Sequence, residues 1–67
     1  MFESKYHIGN VPRKILTYCR WCDKQTVHEL DQAYDDHAYF ACITCGHLRH
    51  IYYFRLEEIA IPLEEGG

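Results

Sequence analysis

Four cysteines fall in two identical spacings, Cys19-x2-Cys22 and Cys42-x2-Cys45, with nineteen residues between the pairs. Two cysteines three positions apart on a tight turn aim both sulfurs at one ion about 2.3 Å away, and two such turns complete a tetrahedron. The separation lies within the window of roughly fifteen to twenty residues that marks structural zinc sites. The expectation is one structural Zn²⁺ held by Cys19, Cys22, Cys42 and Cys45. Gly46, directly after the second pair, can take positive φ and so let backbone N–H groups bend toward the thiolates. Asp23, after the first pair, is among the few non-glycine types that tolerate that conformation. His47, two positions beyond Cys45, is placed to donate an N–H to a thiolate.

Other chemistries for the same residues are weighed against this one. Two disulfides, in one of three connectivities, would suit a secreted mini-protein, but no secretory signal precedes these cysteines. A redox C-x2-C works at a helix start in a βαβ setting, whereas strands flank both pairs here. Iron in a tetrahedral S₄ site is compatible with the ligands, and zinc is the expected ion. His47 and His50 could compete with a cysteine, yet strand alternation puts them on opposite faces. For His7, His28 and His37 an ordinary surface or half-buried role is expected.

The elements that must position the cysteines are short. With 67 residues, 48% hydrophobic and 25% charged, the chain makes one compact domain. A core of that size supplies no more than about 3–5 kcal/mol, which a structural zinc worth roughly 10–16 kcal/mol in small peptides would supplement. Lys14 to Tyr18 and Thr26 to Leu30 are β-rich runs around the first pair. Ala38 to Ala41 and His47 to Leu56 flank the second, so the strand, cysteine turn, strand arrangement occurs twice. Asp31 to His37 reads as a solvated connection. In the last strand apolar bulk falls on both faces, a pattern that suits a central strand. Leu56, Ile59 and Ala60 align on one helical turn stopped near Pro62. The expected fold is a small β-rich metal-stapled domain, two cysteine-knuckle hairpins forming a three- to four-stranded antiparallel sheet with a short C-terminal helical turn. Residues 1–12 form an irregular lead-in, in which Phe2 and Tyr6 can pack on the domain. Residues 13–56 form the metal-stapled unit, and 57–67 an acidic tail or helical turn.

Cys19 to Phe54, two cysteine turns each followed by a β-rich run, resembles the zinc-ribbon superfamily, whose members include transcription-factor ribbons, RNA-polymerase subunit ribbons and ribosomal proteins. The resemblance covers about half the chain and rests on Cys19, Cys22, Cys42, Cys45 and Gly46. It implies a zinc ribbon in a transcription or translation setting, with transcription regulation as one role. Ribbons that enter a polymerase carry an acidic pair and an arginine at the hairpin tip. Asp35-Asp36 stands in the matching connection, but His37 follows it.

Catalysis is disfavoured, because a tetrathiolate site is closed whereas a catalytic zinc keeps an open position. The deaminase pattern fails on both halves, since His28-Glu29 are adjacent and Ala41 precedes Cys42. No nucleophile motif or Gly-rich phosphate loop is present, so neither an enzyme nor a small-molecule substrate is expected. The net charge of −3 is split: residues 1–24 sum to +3 and residues 25–67 to −6. A duplex-DNA binder would show the opposite overall sign. The leading expectation is a protein-interaction module or small regulator docking on a larger assembly, such as a nucleic-acid-processing complex. Trp21, flanked by Arg20 and Lys24, is its foremost surface candidate. The alternative is single-stranded nucleic-acid or RNA binding, with Arg13, Lys14, Arg20 and Lys24 on phosphates and Trp21 or Tyr18 stacked on a base. The longest apolar run, Ile51-Tyr52-Tyr53-Phe54, is far short of the roughly 20 residues that span a bilayer. With no apolar signal region at the N-terminus, a soluble cytoplasmic protein and no membrane contact are expected.

Overall fold

The structure, a computed structural model, describes residues 5–63. Phe2 and the acidic end at residues 64–67 lie outside the described residues. The elements are β1 (Lys14–Cys19), β2 (Lys24–Ala33), β3 (His37–Cys42), β4 (Leu48–Tyr52), α1 (Tyr53–Ile59) and β5 (Ile61–Pro62). They form one five-stranded antiparallel sheet in the order β4-β3-β2-β1-β5. The sheet thus has the two expected cysteine hairpins and one strand more than expected. Among the described residues no helix is long and apolar enough to cross a membrane.

Alternation decides which face is inside. Ile15, Thr17 and Cys19 on β1, Thr26 and His28 on β2, Ala38, Phe40 and Cys42 on β3 and Ile51 on β4 are buried along one face. Tyr53 and Leu56 of α1 close over it, completing a core of Ile15, Ala38, Phe40, Ile51, Tyr53 and Leu56. Tyr6, Val11, Leu30, Ala33, Ile59 and Ala60 pack around its margin. Thr17, buried among apolar groups, donates its hydroxyl to the Ile59 carbonyl at 2.7 Å. One bond thereby satisfies both a buried donor and an orphan carbonyl at the helix C-terminus.

Three local features depart from the sequence reading. The run expected to stay extended to Leu56 turns helical at Tyr53. An extended chain would send Leu56 to the same face as His50 and Tyr52, away from the core, whereas a helix brings Tyr53 and Leu56, three apart, onto it together. The solvated connection is shorter than expected, because β2 continues to Ala33. A bulge between Leu30 and Gln32 absorbs Asp31, after which Gln32 pairs with Tyr39 and Ala33 with Ala38. β4, expected to be central, lies at an edge, since β5 turns back to the far side and pairs Ile61 with Leu16 and Pro62 with Ile15.

Candidate metal centre

Each cysteine pair begins on the last residue of a strand, Cys19 on β1 and Cys42 on β3, and ends in the following turn. The two turns are built alike. The Asp23 N–H donates to the Cys19 carbonyl at 2.7 Å, and the Gly46 N–H donates to the Cys42 carbonyl at 2.7 Å. Asp23 has φ 58° and Gly46 φ 84°, the left-handed conformation expected at both positions. At Asp23 the side chain also accepts a hydrogen bond from the Tyr18 hydroxyl at 2.5 Å, which raises the Tyr18 phenol above its ordinary value. A Cβ at Gly46 would meet nothing within 4 Å, so the only cost of a side chain there is the backbone. Gly46→Ala is therefore expected to destabilise by about 1–2 kcal/mol without displacing a neighbour. Denaturant unfolding of the two proteins checks this, and an unchanged midpoint would contradict it.

β1 pairs with β2 and β2 with β3, so the two turns meet at one end of the sheet. The four sulfurs all lie within 4.8 Å of one another. Sulfurs each about 2.3 Å from a central ion stand about 3.8 Å apart in a regular tetrahedron. Cys19 and Cys45 are 3.6 Å apart and Cys22 and Cys42 3.8 Å, and all four are free thiols. The spacing of the donors thus fits a tetrahedral thiolate ion. Cys19 and Cys42 are buried and Cys45 exposed, which places the site at the margin of the core.

Polar groups around the sulfurs favour negative charge unevenly. Burial pushes the Cys42 thiol up, but the Thr26 hydroxyl and the Cys45 and Thr44 main-chain N–H groups outweigh it and bring it to about 5. Thr26 Oγ1 is 3.2 Å from Cys42 Sγ. Cys22 is pushed up to about 12 by desolvation and by its sulfur neighbours. At Cys45 the His47 main-chain N–H pulls downward, and desolvation with the adjacent thiols carries the net shift upward. Cys42 therefore ionises far more readily than Cys22. A divalent ion bound by four thiolates must displace the protons the sulfurs hold, those of Cys22 and Cys45 against a raised affinity, so metal affinity rises with pH. Below about pH 5 Cys42 is protonated too, and each ion then displaces one proton more. Calorimetric titration in buffers of different ionisation enthalpy is expected to show this proton release, and a pH-independent affinity would contradict it.

His47 stands beside Cys45. Its Nδ1 is 3.3 Å from Cys45 Sγ, and its ring stacks on Trp21 with centroids 4.1 Å apart and planes 5° from parallel. Trp21 thus braces the imidazole while remaining 52% exposed, with the Arg20 guanidinium 5.7 Å from its ring centroid. Thr26 was not anticipated, although its place two residues before His28, the partner of Cys42, follows once the register is known. Nor was Arg49, which crosses beneath the sheet to donate to the Tyr18 carbonyl. His28 is fully buried, its Nδ1 2.9 Å from the Thr26 carbonyl and its Nε2 without a partner among the described residues.

The proposed basic surface divides in two. Arg20, Trp21 and Lys24 sit at the cysteine end, while Lys14 lies at the other end of β1, about 17 Å away at the rise of a strand. There Lys14 pairs with Glu29 at 3.9 Å, and Arg13 joins it in a cleft of about 430 Å³ that also includes Asp31. Comparison with protein-family models, with curated proteins and with solved structures finds no match to this chain.

Proposed function

We propose that this chain is a zinc ribbon, a metal-stapled binding module without enzymatic activity that docks on a protein partner. A closed tetrathiolate suits Zn²⁺, which has no redox chemistry and accepts a tetrahedron of sulfurs. The observation that carries the docking reading is the sheet face opposite the core. Tyr18, Leu48 and Tyr52 are exposed along it, with Ile43 and Trp21 exposed at the cysteine end. Large apolar and aromatic side chains left open on so small a domain are the composition of a protein interface. The divided cations, one group of them beside Glu29 and Asp31, favour a protein over a nucleic-acid backbone as partner. A partner within the transcription or translation machinery, and a cytoplasmic location, rest on the resemblance of the cysteine turns alone.

Affinity capture on the immobilised zinc-loaded protein over a series of salt concentrations tests this reading. A protein partner retained with shallow salt dependence, and weakened by Trp21→Ala in a chain that still folds and keeps its metal, is expected. Retention of RNA or single-stranded DNA with a steep salt slope would replace this reading with the nucleic-acid one.

A further inference from the structure

The two edges of the sheet are finished differently. β5 is two residues long and contains Pro62, a short proline-bearing edge of the kind that discourages further pairing. β4, Leu48–Tyr52, contains no lysine, no proline and no bulge, and among the described residues no strand pairs with its outer side. Its ladder to β3 fixes which main-chain groups are free. The Cys42 N–H donates to the His47 carbonyl at 3.0 Å and the Tyr53 N–H to the Asp36 carbonyl at 3.1 Å, so His47 and Tyr53 turn inward. By the two-residue period Arg49 and Ile51 do the same, and Leu48 and His50 point their N–H and C=O groups outward, as Tyr52 does its N–H, its carbonyl serving as the N-cap acceptor of α1. The side chains of these three residues are also exposed, Leu48 at 52% and Tyr52 at 42%.

We propose that β4 pairs antiparallel with β4 of a second copy of this chain, about a twofold axis at His50, joining two sheets into one. That register overlaps the whole strand. It sets Leu48 opposite Tyr52 of the second copy and His50 opposite its own counterpart, so each outward-facing residue meets another. The His50 pair then exchanges both main-chain hydrogen bonds, and in each Leu48–Tyr52 pair the Tyr52 N–H donates to the Leu48 carbonyl, the Tyr52 carbonyl being held by α1. An aliphatic side chain opposite an aromatic one is a favourable cross-strand pair. Charge agrees with the direction. Asp35 and Asp36 lie in the turn beside the Tyr52 end of β4, and Arg20 and Lys24 at the cysteine end, beyond Leu48. Antiparallel pairing brings the acidic end of each copy toward the basic end of the other, whereas parallel pairing would bring like ends together. The pairing takes up the Leu48 and Tyr52 side chains at one margin of the exposed sheet face and leaves Tyr18, Trp21 and Ile43 open, so its failure would not remove the docking reading.

The test is sedimentation equilibrium of the zinc-loaded full chain over a concentration series, with His50→Pro as the variant. Proline at this position removes an outward N–H and no bond of the β3–β4 ladder. Wild type is expected at about twice the 8.0 kDa chain mass, and His50→Pro at the single-chain mass with unchanged metal content and circular dichroism. A wild type that stays at the single-chain mass overturns the proposal, as does a folded His50→Pro protein that still doubles. Should proline prevent folding, hydrogen exchange on wild type decides. The Leu48, His50 and Tyr52 amides are expected to become protected as concentration rises, and unchanged exchange at all three overturns the pairing.

Discussion

Replacing Cys19 with serine is expected to leave the chain largely unfolded at room temperature. Cys19 is fully buried at the end of β1 and stands 3.6 Å from Cys45 in the opposite turn, so it is one of the links joining the two hairpins. The six-residue apolar core lies toward the other end of the sheet, and a core of this size contributes no more than about 3–5 kcal/mol. A structural tetrathiolate zinc contributes roughly 10–16 kcal/mol in small peptides, and serine both removes a ligand and buries a hydroxyl in its place. Chelation of the wild type should reproduce the loss, because metal and fold are one equilibrium. Far-UV circular dichroism with metal analysis checks both. A Cys19→Ser protein with wild-type metal content and melting would show that the cluster is not the staple.

Phe40→Ala is expected to have the largest effect of any substitution away from the sulfurs. Phe40 is fully buried on the interior strand β3, in one cluster with Ile15, Ile51 and Leu56. Truncating such a ring costs about 3–5 kcal/mol, comparable with the whole apolar contribution of a domain this small. With metal bound, the variant should fold but melt more than about 10 °C below wild type. Without metal, no residual cooperative unfolding should remain. Thermal melts of both proteins with and without chelator separate the two contributions, and a Phe40→Ala melt equal to wild type would contradict the packing described here.

What could be read before the fold was known depended on how many solutions each residue pattern allowed. The cysteine turns had one: the spacing, Gly46 and the tolerance of Asp23 for positive φ all demand the same geometry, and both turns adopt it. The stretch from Leu48 to Ile59 had two, because its apolar residues satisfy a period of two and of three to four alike. Only the need to cover Phe40 and Ile51 selects the helix from Tyr53. The β5 pairing and the edge position of β4 arise from where the chain returns after that helix, which no local signal carries. The contact of Thr26 with Cys42 and the full burial of His28 likewise follow from the β2–β3 register, itself displaced by the bulge at Asp31.

Two surfaces remain once the core and the metal turns are accounted for, an aromatic sheet face and an open strand edge. The aromatic end of that face is unusually dense. His37 and His50 lie 4.4 Å apart between ring centroids, with His50 and Tyr52 at 4.7 Å and Tyr39 and His50 at 5.2 Å. His37 is held by Asp36 at 2.6 Å, which draws the Asp36 carboxyl below its ordinary value. These contacts fix the orientation of rings that would otherwise be free rotors, so a partner meeting them loses less side-chain entropy on binding.

On the reading proposed here one metal ion joins the two cysteine hairpins into a fold. Native mass spectrometry with elemental analysis, on protein purified without added metal, tests it most directly. One zinc per chain is expected, with loss of the folded charge-state distribution when the metal is removed. A metal-free chain, lighter by the hydrogens that two disulfides remove and still folded, would contradict it.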